Sequence, residues 1–196
     1  MSQNIEIEFK NMLTMKEYEH LLKEFNINEK QIIRQENHYF DTACFTLKEK
    51  GAALRIRQKN DQFELTLKQP ATVGLLESNQ IISKAEVDAA ILSGKLPKGF
   101  IHDIIKKIGV PIGQIEYFGS LVTKRTELEY KQGLLVLDHS YYLNKEDFEL
   151  EYEVENYERG LETFNEFLTQ HVIPKRKTDN KIRRFYKEMF IQKKNK

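Results

Sequence analysis

The 196 residues suffice for one domain with a sizeable core, and the single cysteine, Cys44, excludes an intrachain disulfide and a cysteine-based zinc site. Charged residues make up 31% of the chain but the formal net charge is only +1, so we expect no nucleic-acid partner, because general nucleic-acid binders usually carry a clear cationic excess. No run approaches about 18 apolar residues and the start lacks an apolar signal segment, which predicts a soluble cytoplasmic protein without a membrane partner.

The first predicted element is a β-strand at residues 5–10, where apolar and charged residues alternate strictly. In a strand, alternate residues share a face. The apolar side chains therefore lie on one face, and Glu6, Glu8 and Lys10 lie on the other. This pattern predicts a strand with a charged face.

Three elements follow in chain order. Thr14 and Glu17 form the capping-box pattern, which predicts a helix over residues 15–25. A second strand is expected over residues 31–40, and one short helical turn over residues 45–50. All three elements precede residues 60–61, which form the predicted turn of a β-hairpin.

Two polar residues near the second strand are interpreted as structural. Asp41 precedes Thr42, and Asp-Thr pairs commonly supply side-chain acceptors to a following turn, so Asp41 is expected to be a turn or cap residue. His38 lies beside aromatic residues and is expected to serve packing. Neither is a candidate ligand.

A β-hairpin with charged faces is predicted around the turn-forming residues 60–61. Its first strand places Arg55 and Arg57 on one face, and its second strand carries Glu64 and Lys68. The next predicted elements are a strand and two helices, at residues 75–83, 84–92 and 100–108. The apolar spacing of both helices suggests that they pack against a sheet.

The second half of the chain is predicted to return to sheet. Strands are expected at residues 115–130, 134–139 and 148–155, followed by helices at residues 158–171 and 178–193. The last strand places Glu149, Glu151 and Glu153 on one face. Asp138 lies at the end of an apolar run, where burial alone explains an acidic residue poorly.

Four strands thus combine an apolar face with a face of full charges of both signs. The economical arrangement is an antiparallel β-barrel of about eight strands whose charged faces point inward, with helices covering the apolar outer faces. The expected fold class is α+β, with a barrel that encloses a charged tunnel. We expect a single domain over residues 1–196 that ends in the helix at residues 178–193.

A charged tunnel is costly unless its charges pair with one another or bind a ligand. A polyphosphate with its divalent cation satisfies both signs, because carboxylates suit Mg²⁺ or Mn²⁺ while Arg and Lys suit phosphate oxygens. Water activated by the metal could then attack the terminal phosphorus. The sequence shows no Gly-rich phosphate loop, no histidine–carboxylate metal motif and no nucleophilic serine signature.

Residues 6–10, Glu-Ile-Glu-Phe-Lys, match the ExExK signature of the CYTH superfamily, also called triphosphate tunnel metalloenzymes. Further matching segments follow in the family's order: Arg55-Ile56-Arg57, Glu64-Leu65-Thr66-Leu67-Lys68, Lys124-Arg125, Asp138, Glu151-Tyr152-Glu153 and a C-terminal basic segment containing Lys181. The chain resembles this family over nearly its whole length, and within it the small YjbK-like bacterial branch.

This resemblance implies an eight-stranded antiparallel tunnel, metal-dependent action on a triphosphate and roles for individual residues. The metal ligands that it implies are Glu6, Glu8, Asp138, Glu151 and Glu153. Glu149 shares the acidic face and either extends the metal site or pairs with a cation. The substrate-binding residues that it implies are Lys10, Arg55, Arg57, Lys68, Arg125 and Lys181, with Glu64 among them as an acidic partner. Glu6, Glu8 and Lys10 form the catalytic signature.

One departure from the family pattern concerns the long strand at residues 115–130. Relatives often carry two basic residues at alternate positions there, whereas the position two before Arg125 is Thr123. Lys124 has the wrong parity to point inward unless a bulge shifts the register. The tunnel is therefore expected to hold one cation fewer.

The expected activity is metal-dependent hydrolysis of inorganic triphosphate or a nucleoside triphosphate, with Mg²⁺ or Mn²⁺ as cofactor. Alternatives remain open: a class IV adenylyl cyclase, a thiamine triphosphatase, a module that binds polyphosphate or a phosphorylated ligand without turnover, or a structural role with solvated charges. The expected partner is a small-molecule triphosphate, and the chain is expected to be a monomer or a homodimer.

Overall fold

The computed structural model describes residues 1–194, so the last two residues of the predicted domain, 195–196, lie outside the described residues. The strands are β1 (Ser2–Leu13), β2 (Ile33–Thr42), β3 (Ala53–Lys59), β4 (Gln62–Pro70), β5 (Leu75–Ile82), β6 (Ile115–Tyr130), β7 (Gly133–Tyr142) and β8 (Lys145–Val154). The α-helices are α1 (Met15–Glu24), α2 (Thr46–Glu49), α3 (Lys84–Ser93), α4 (Phe100–Lys107), α5 (Tyr157–Gln170) and α6 (Lys181–Lys194).

The eight strands form a closed barrel in the order β1-β5-β4-β3-β2-β6-β7-β8. The pairings of β1 with β8, of β2 through β5 in succession, and of β6 through β8 in succession are antiparallel. The predicted α+β fold with a closed antiparallel barrel is confirmed. The predicted helical turn at residues 45–50 is α2, and the predicted C-terminal helix is α6.

The chain divides into two compact units, residues 1–5 with 35–121, and residues 6–34 with the chain from 122 onward. In the first unit, Ile56 of β3 and Leu65 of β4 are fully buried in a core that includes Val87 of α3 and Ile101 of α4. The apolar face of this part of the sheet is therefore covered by helices. Alternate residues such as Arg57 lie on the opposite face.

The second unit has its own core. Leu137 of β7 and Leu150 of β8 are fully buried together with Leu21 of α1 and with Phe164 and Phe167 of α5. Helices again cover the apolar face, as predicted. The acidic residues that alternate with these positions in β8 lie on the other face of the strand.

The local structural interpretations of Asp41 and His38 are confirmed. The carboxylate of Asp41 accepts hydrogen bonds from the backbone N–H groups of Thr42 and Leu47 at 2.8 Å, and so caps α2. Nδ1 of His38 lies 3.3 Å from the hydroxyl of Tyr117, and the two rings pack against each other.

The hairpin of β7 and β8 is longer than predicted. β7 continues to Tyr142 and β8 begins at Lys145, whereas the predicted strands ended at residue 139 and began at residue 148. Leu143 and Asn144 form the turn with φ values of 48° and 64°. Two successive residues with positive φ are typical of the tight type I′ turn, which keeps adjacent strands paired up to the turn.

Candidate active site

The pairing of β1 with β8 brings acidic residues face to face. Glu8 lies directly opposite Glu153, and Lys10 lies opposite Glu151. Glu6 shares their face because it is two residues before Glu8. Carboxylate oxygens of Glu6, Glu8 and Glu153 lie within 4.8 Å of one another. We call these three residues the open carboxylate cluster, because each is partly exposed.

The open carboxylate cluster concentrates negative charge. Burial raises the pKa of Glu153 to about 7; Arg125 opposes this shift, while Glu151, Glu6 and Glu8 add to it. Lys10 donates a hydrogen bond to Glu8 at 2.7 Å. Like charges directly opposite each other on paired strands are destabilising, so a cation bound here would relieve the repulsion.

A second acidic group lies beside the open carboxylate cluster and already holds cations. Arg125 forms a bidentate pair with Asp138, with N–O distances of 2.8 and 2.6 Å, and its Nη2 also lies 2.6 Å from Glu151. Nζ of Lys181 lies 2.6 Å from Glu151, 2.8 Å from Asp138 and 3.2 Å from Glu149. We call these five residues the buried ionic network.

The pKa values of the acids in the buried ionic network shift in opposite directions. Burial alone would raise the pKa values of Asp138 and Glu151, but Arg125 and Lys181 outweigh it and lower both. Burial raises the pKa of Glu149, and Glu151 adds to this shift, although Lys181, Arg184 and Lys10 oppose it. Oε1 of Glu149 has no hydrogen-bond partner among the described atoms, and Nζ of Lys10 lies 3.9 Å from it.

Arg184, which the sequence reasoning missed, also reaches this network. It pairs with Asp147, at 2.9 Å from Nε to Oδ2, and it hydrogen-bonds Glu149. Arg184 follows Lys181 by three residues in α6, so the two side chains lie on the same helix face. The spacing of three residues from Lys181, a predicted substrate-binding residue, is the sequence signal that points to Arg184.

The first unit carries a separate set of cations. Arg55 and Lys68 lie 3.3 and 3.5 Å from the carboxylate of Glu77, another residue to which no role had been assigned. Nε of Arg57 donates to Asn37 at 3.2 Å, and Arg57 lies opposite Glu64 in the sheet. Burial opposes ionisation of Glu77, but Lys68, Arg55 and Arg57 lower its pKa.

The predicted departure on the long strand is confirmed. Thr123 is fully buried and Lys124 is exposed, with its ammonium 5.6 Å from the centre of the Tyr141 ring. The register pairs Thr123 with Ser140 and Arg125 with Asp138 without an extra residue between them. The inward position two before Arg125 is therefore a hydroxyl and not a cation.

Every predicted metal ligand lies in the second unit, but in two groups. Glu6, Glu8 and Glu153 form the open carboxylate cluster, while Asp138, Glu149 and Glu151 belong to the buried ionic network. Among the predicted substrate-binding residues, the second unit holds Lys10, Arg125 and Lys181, and the first unit holds Arg55, Arg57, Glu64 and Lys68. The functional roles of all these residues remain predictions.

Comparison with known proteins gives consistent matches over the length of the chain. The family model of the CYTH domain matches residues 4–186. A Bacillus subtilis protein named "Putative triphosphatase YjbK" is 51% identical over 188 residues, which cover 96% of this chain and 97% of that protein.

Solved structures share the fold. A Bacillus halodurans protein named "putative adenylate cyclase" superposes with a TM-score of 0.92 at 42% identity, covering 95% of this chain and all of that one. A Hippeastrum protein, named "putative adenylyl cyclase" and described as having a dominant triphosphatase activity, superposes with a TM-score of 0.79 at 24% identity, covering 93% of this chain and 96% of that one.

Among the helices of residues 1–194, none has the length and apolar character that crossing a lipid bilayer requires.

Proposed function

The chain belongs to the CYTH domain family, and from this premise we propose that it is a divalent-cation-dependent triphosphatase acting on inorganic triphosphate or a nucleoside triphosphate. The name of the Bacillus subtilis relative, at 51% identity, supports the activity. The observation that carries the proposal is the open carboxylate cluster, in which Glu8 faces Glu153 across paired strands and Glu6 completes the group.

The residues of the open carboxylate cluster fit Mg²⁺ or Mn²⁺. Both ions prefer oxygen ligands, and carboxylates are their usual protein ligands. Glu6, Glu8 and Glu153 offer three such oxygens within 4.8 Å of one another. A bound divalent cation would neutralise phosphate oxygens and make water a better nucleophile towards phosphorus.

The buried ionic network is proposed to position cations for the substrate. Arg125 uses Nε and Nη2 for Asp138 and Glu151, whereas Nη1 lies 3.8 Å from Glu127 and 3.9 Å from Glu153, beyond hydrogen-bond range. Nη1 can therefore donate to a phosphate oxygen beside the open carboxylate cluster. A metal bound directly by Asp138 or Glu151 would have to displace Arg125 or Lys181 from the carboxylate oxygens, whereas Oε1 of Glu149 has no hydrogen-bond partner among the described atoms.

The cations of the first unit support phosphate binding independently. Arg55, Arg57 and Lys68 give three positive charges against the two carboxylates of Glu64 and Glu77, so this face has a cationic excess. Arginine guanidinium groups and lysine ammonium groups bind phosphate oxygens well. The assignment of these three cations to the substrate stays a proposal.

Phosphate release by the purified protein tests the activity. Inorganic triphosphate, ATP and thiamine triphosphate are each incubated with Mg²⁺, with Mn²⁺ and with EDTA. We expect orthophosphate release that depends on the cation. We expect Glu6→Gln and Glu8→Gln to lower kcat/KM by at least about 100-fold, because each removes a charged ligand. The control is Glu129→Gln, which removes an exposed carboxylate from β6 and should leave the rate unchanged.

A second candidate is an adenylyl cyclase, which the name of the Bacillus halodurans relative favours at 42% identity. Equimolar pyrophosphate and cyclic AMP from ATP, without orthophosphate, would replace the triphosphatase by a cyclase. Binding without turnover is the third outcome: triphosphate would raise the melting temperature while no product forms in any arm. Either result would overturn the proposal.

A further inference from the structure

The second unit contains a further group of metal-ligating side chains outside the proposed active site. His20 and Glu24 are four residues apart in α1 and therefore lie on one helix face. His171 is the residue directly after α5. One nitrogen of each imidazole and one carboxylate oxygen of Glu24 lie within 4.8 Å of one another.

The spacing of these atoms fits a transition-metal ion. Nε2 of His20 lies 3.3 Å from Oε2 of Glu24, and Nδ1 of His171 lies 2.9 Å from the same oxygen. Ligands of a tetrahedral Zn²⁺ ion, each about 2.0–2.1 Å from the metal, lie about 3.3 Å from one another. Two imidazoles and one carboxylate are also a common protein ligand set for zinc with an open fourth position.

The His171 imidazole is held in place by its surroundings. Its side chain is 3% exposed, and its ring packs 4.2 Å from that of Phe167 and 6.1 Å from that of Phe25. Nε2 of His171 is buried without a hydrogen-bond partner among the described atoms. The ring therefore presents only Nδ1 to a polar group, and that group is Glu24.

The other two ligands leave the group accessible. The side chain of His20 is 63% exposed and that of Glu24 is 38% exposed, so an ion can enter from solvent and water can take a fourth position. Mg²⁺ has little affinity for imidazole, whereas Zn²⁺ and Cu²⁺ bind imidazole well. The donor set thus differs in chemistry from the all-oxygen open carboxylate cluster.

We propose that His20, Glu24 and His171 form a binding site for a first-row transition-metal ion such as Zn²⁺, which links the C-terminal part of α1 to the end of α5. The same three residues could serve only as hydrogen-bonded partners joining the two helices. The two interpretations differ in a measurable way, because only the first gives metal binding that depends on His20.

The test uses the full-length protein in the presence of excess Mg²⁺, which occupies oxygen-only sites. Zn²⁺ is titrated calorimetrically, and one equivalent of Cu²⁺ is examined by electron paramagnetic resonance for hyperfine splitting from imidazole nitrogen. We expect one Zn²⁺ per chain and a nitrogen-split Cu²⁺ spectrum. Removing a residue that only supports a metal ligand typically weakens metal affinity about 10–100-fold. His20→Ala and Glu24→Gln each remove a ligand itself, so we expect them to weaken Zn²⁺ affinity at least about tenfold.

Glu19→Gln is the matched control, since it removes a neighbouring exposed carboxylate from α1 and should leave Zn²⁺ affinity unchanged. His20 is exposed, so its replacement by alanine is not expected to disturb folding. Unchanged Zn²⁺ affinity in His20→Ala, or a Cu²⁺ spectrum without nitrogen splitting, would overturn the proposal. Neither result would affect the triphosphatase proposal, which depends on different residues.

Discussion

Glu153 is the residue at which the electrostatics of the open carboxylate cluster can be measured. Its pKa is raised to about 7 by burial, against the opposing charge of Arg125 and with the added repulsion of Glu151, Glu6 and Glu8. The folded protein therefore binds this proton more tightly than the unfolded chain does. A raised carboxyl pKa means that folding stability falls as pH rises from the unfolded pKa, near 4.5, to the folded value near 7.

Glu153→Gln should remove this loss of stability. In metal-free protein we expect the variant to gain about 1–3 kcal/mol over the wild type at pH 8, and little at pH 4.5, because the native carboxyl is protonated there. Urea unfolding at both pH values with EDTA present measures the difference. Glu129→Gln should show no such pH dependence; a gain for Glu153→Gln that is equal at both pH values would contradict the stated cause.

Alternation in the sequence was enough to place several site residues. Glu6, Glu8 and Lys10 share a face as predicted. Thr123 and Lys124 also lie on the predicted faces of their strand, with Thr123 buried and Lys124 exposed. The division of the acids into an open cluster and a buried network could not be predicted, because it depends on which cations reach them from other strands and helices. Glu77 and His171 were missed for the same reason, because each gains its partners only through tertiary contacts, whereas the spacing of Arg184 from Lys181 was visible in the sequence.

At the scale of elements, hydrogen bonds anchor the segment between α5 and α6 to β1 and α1. The backbone N–H of Arg176 donates to Asn11 at 2.6 Å, and Asn11 in turn donates to the carbonyl of Pro174 at 3.0 Å. The Arg176 guanidinium donates to Met12 and to Glu17 of α1, at 2.9 Å in each case. The segment is thus fixed to β1 and α1 a few residues before Lys181.

Arg176→Ala should loosen α6 without touching the buried ionic network directly. Charge-assisted hydrogen bonds contribute about 1.5–3 kcal/mol each, so we expect a clear loss of stability and faster amide exchange in α6. Hydrogen–deuterium exchange followed by mass spectrometry checks residues 181–194. The neighbouring Lys175→Ala, which removes one long exposed contact to Asn165, should change exchange little. Unaltered exchange in Arg176→Ala would show that the segment does not hold the helix.

Element boundaries were predicted well where turn-forming residues follow the end of the element in the sequence, as Gln132 and Gly133 follow β6. β6 was predicted at residues 115–130 and occupies Ile115–Tyr130. The ends of β7 and β8 were placed too far from their turn, because Lys145 and Glu146 break the apolar alternation. Backbone pairing continues there regardless of side-chain type, since the positive φ angles of Leu143 and Asn144 close a tight turn.

At the scale of the whole molecule, the hydrophobic cores lie between strands and helices, and each compact unit has one. Leu150→Ala in β8 should lower the free energy of unfolding by about 2–5 kcal/mol, because a fully buried side chain is cut back. Urea unfolding measures it. Leu92→Ala is the control, since Leu92 in α3 is 88% exposed and the change should cost less than about 0.5 kcal/mol. Equal losses would contradict this placement of the core.

The barrel and its helical cover could be predicted from alternating charge together with the family resemblance. The order of the strands could not. β1 neighbours β5 and β8, which are far from it in the chain, and single-strand patterns contain no information about such distant partners. The charged faces indicated only that the strands share an interior.

The closed order of the eight strands also bears on how the folded protein behaves at high concentration. Every strand in residues 1–194 has a neighbour on both sides, so the sheet offers no unpaired row of backbone N–H and C=O groups along its margin. Such rows are the templates on which foreign strands add and fibrils grow. Closure of the barrel therefore removes this route to aggregation from the native state, without the lysines, prolines or bulges with which open sheets protect their outermost strands.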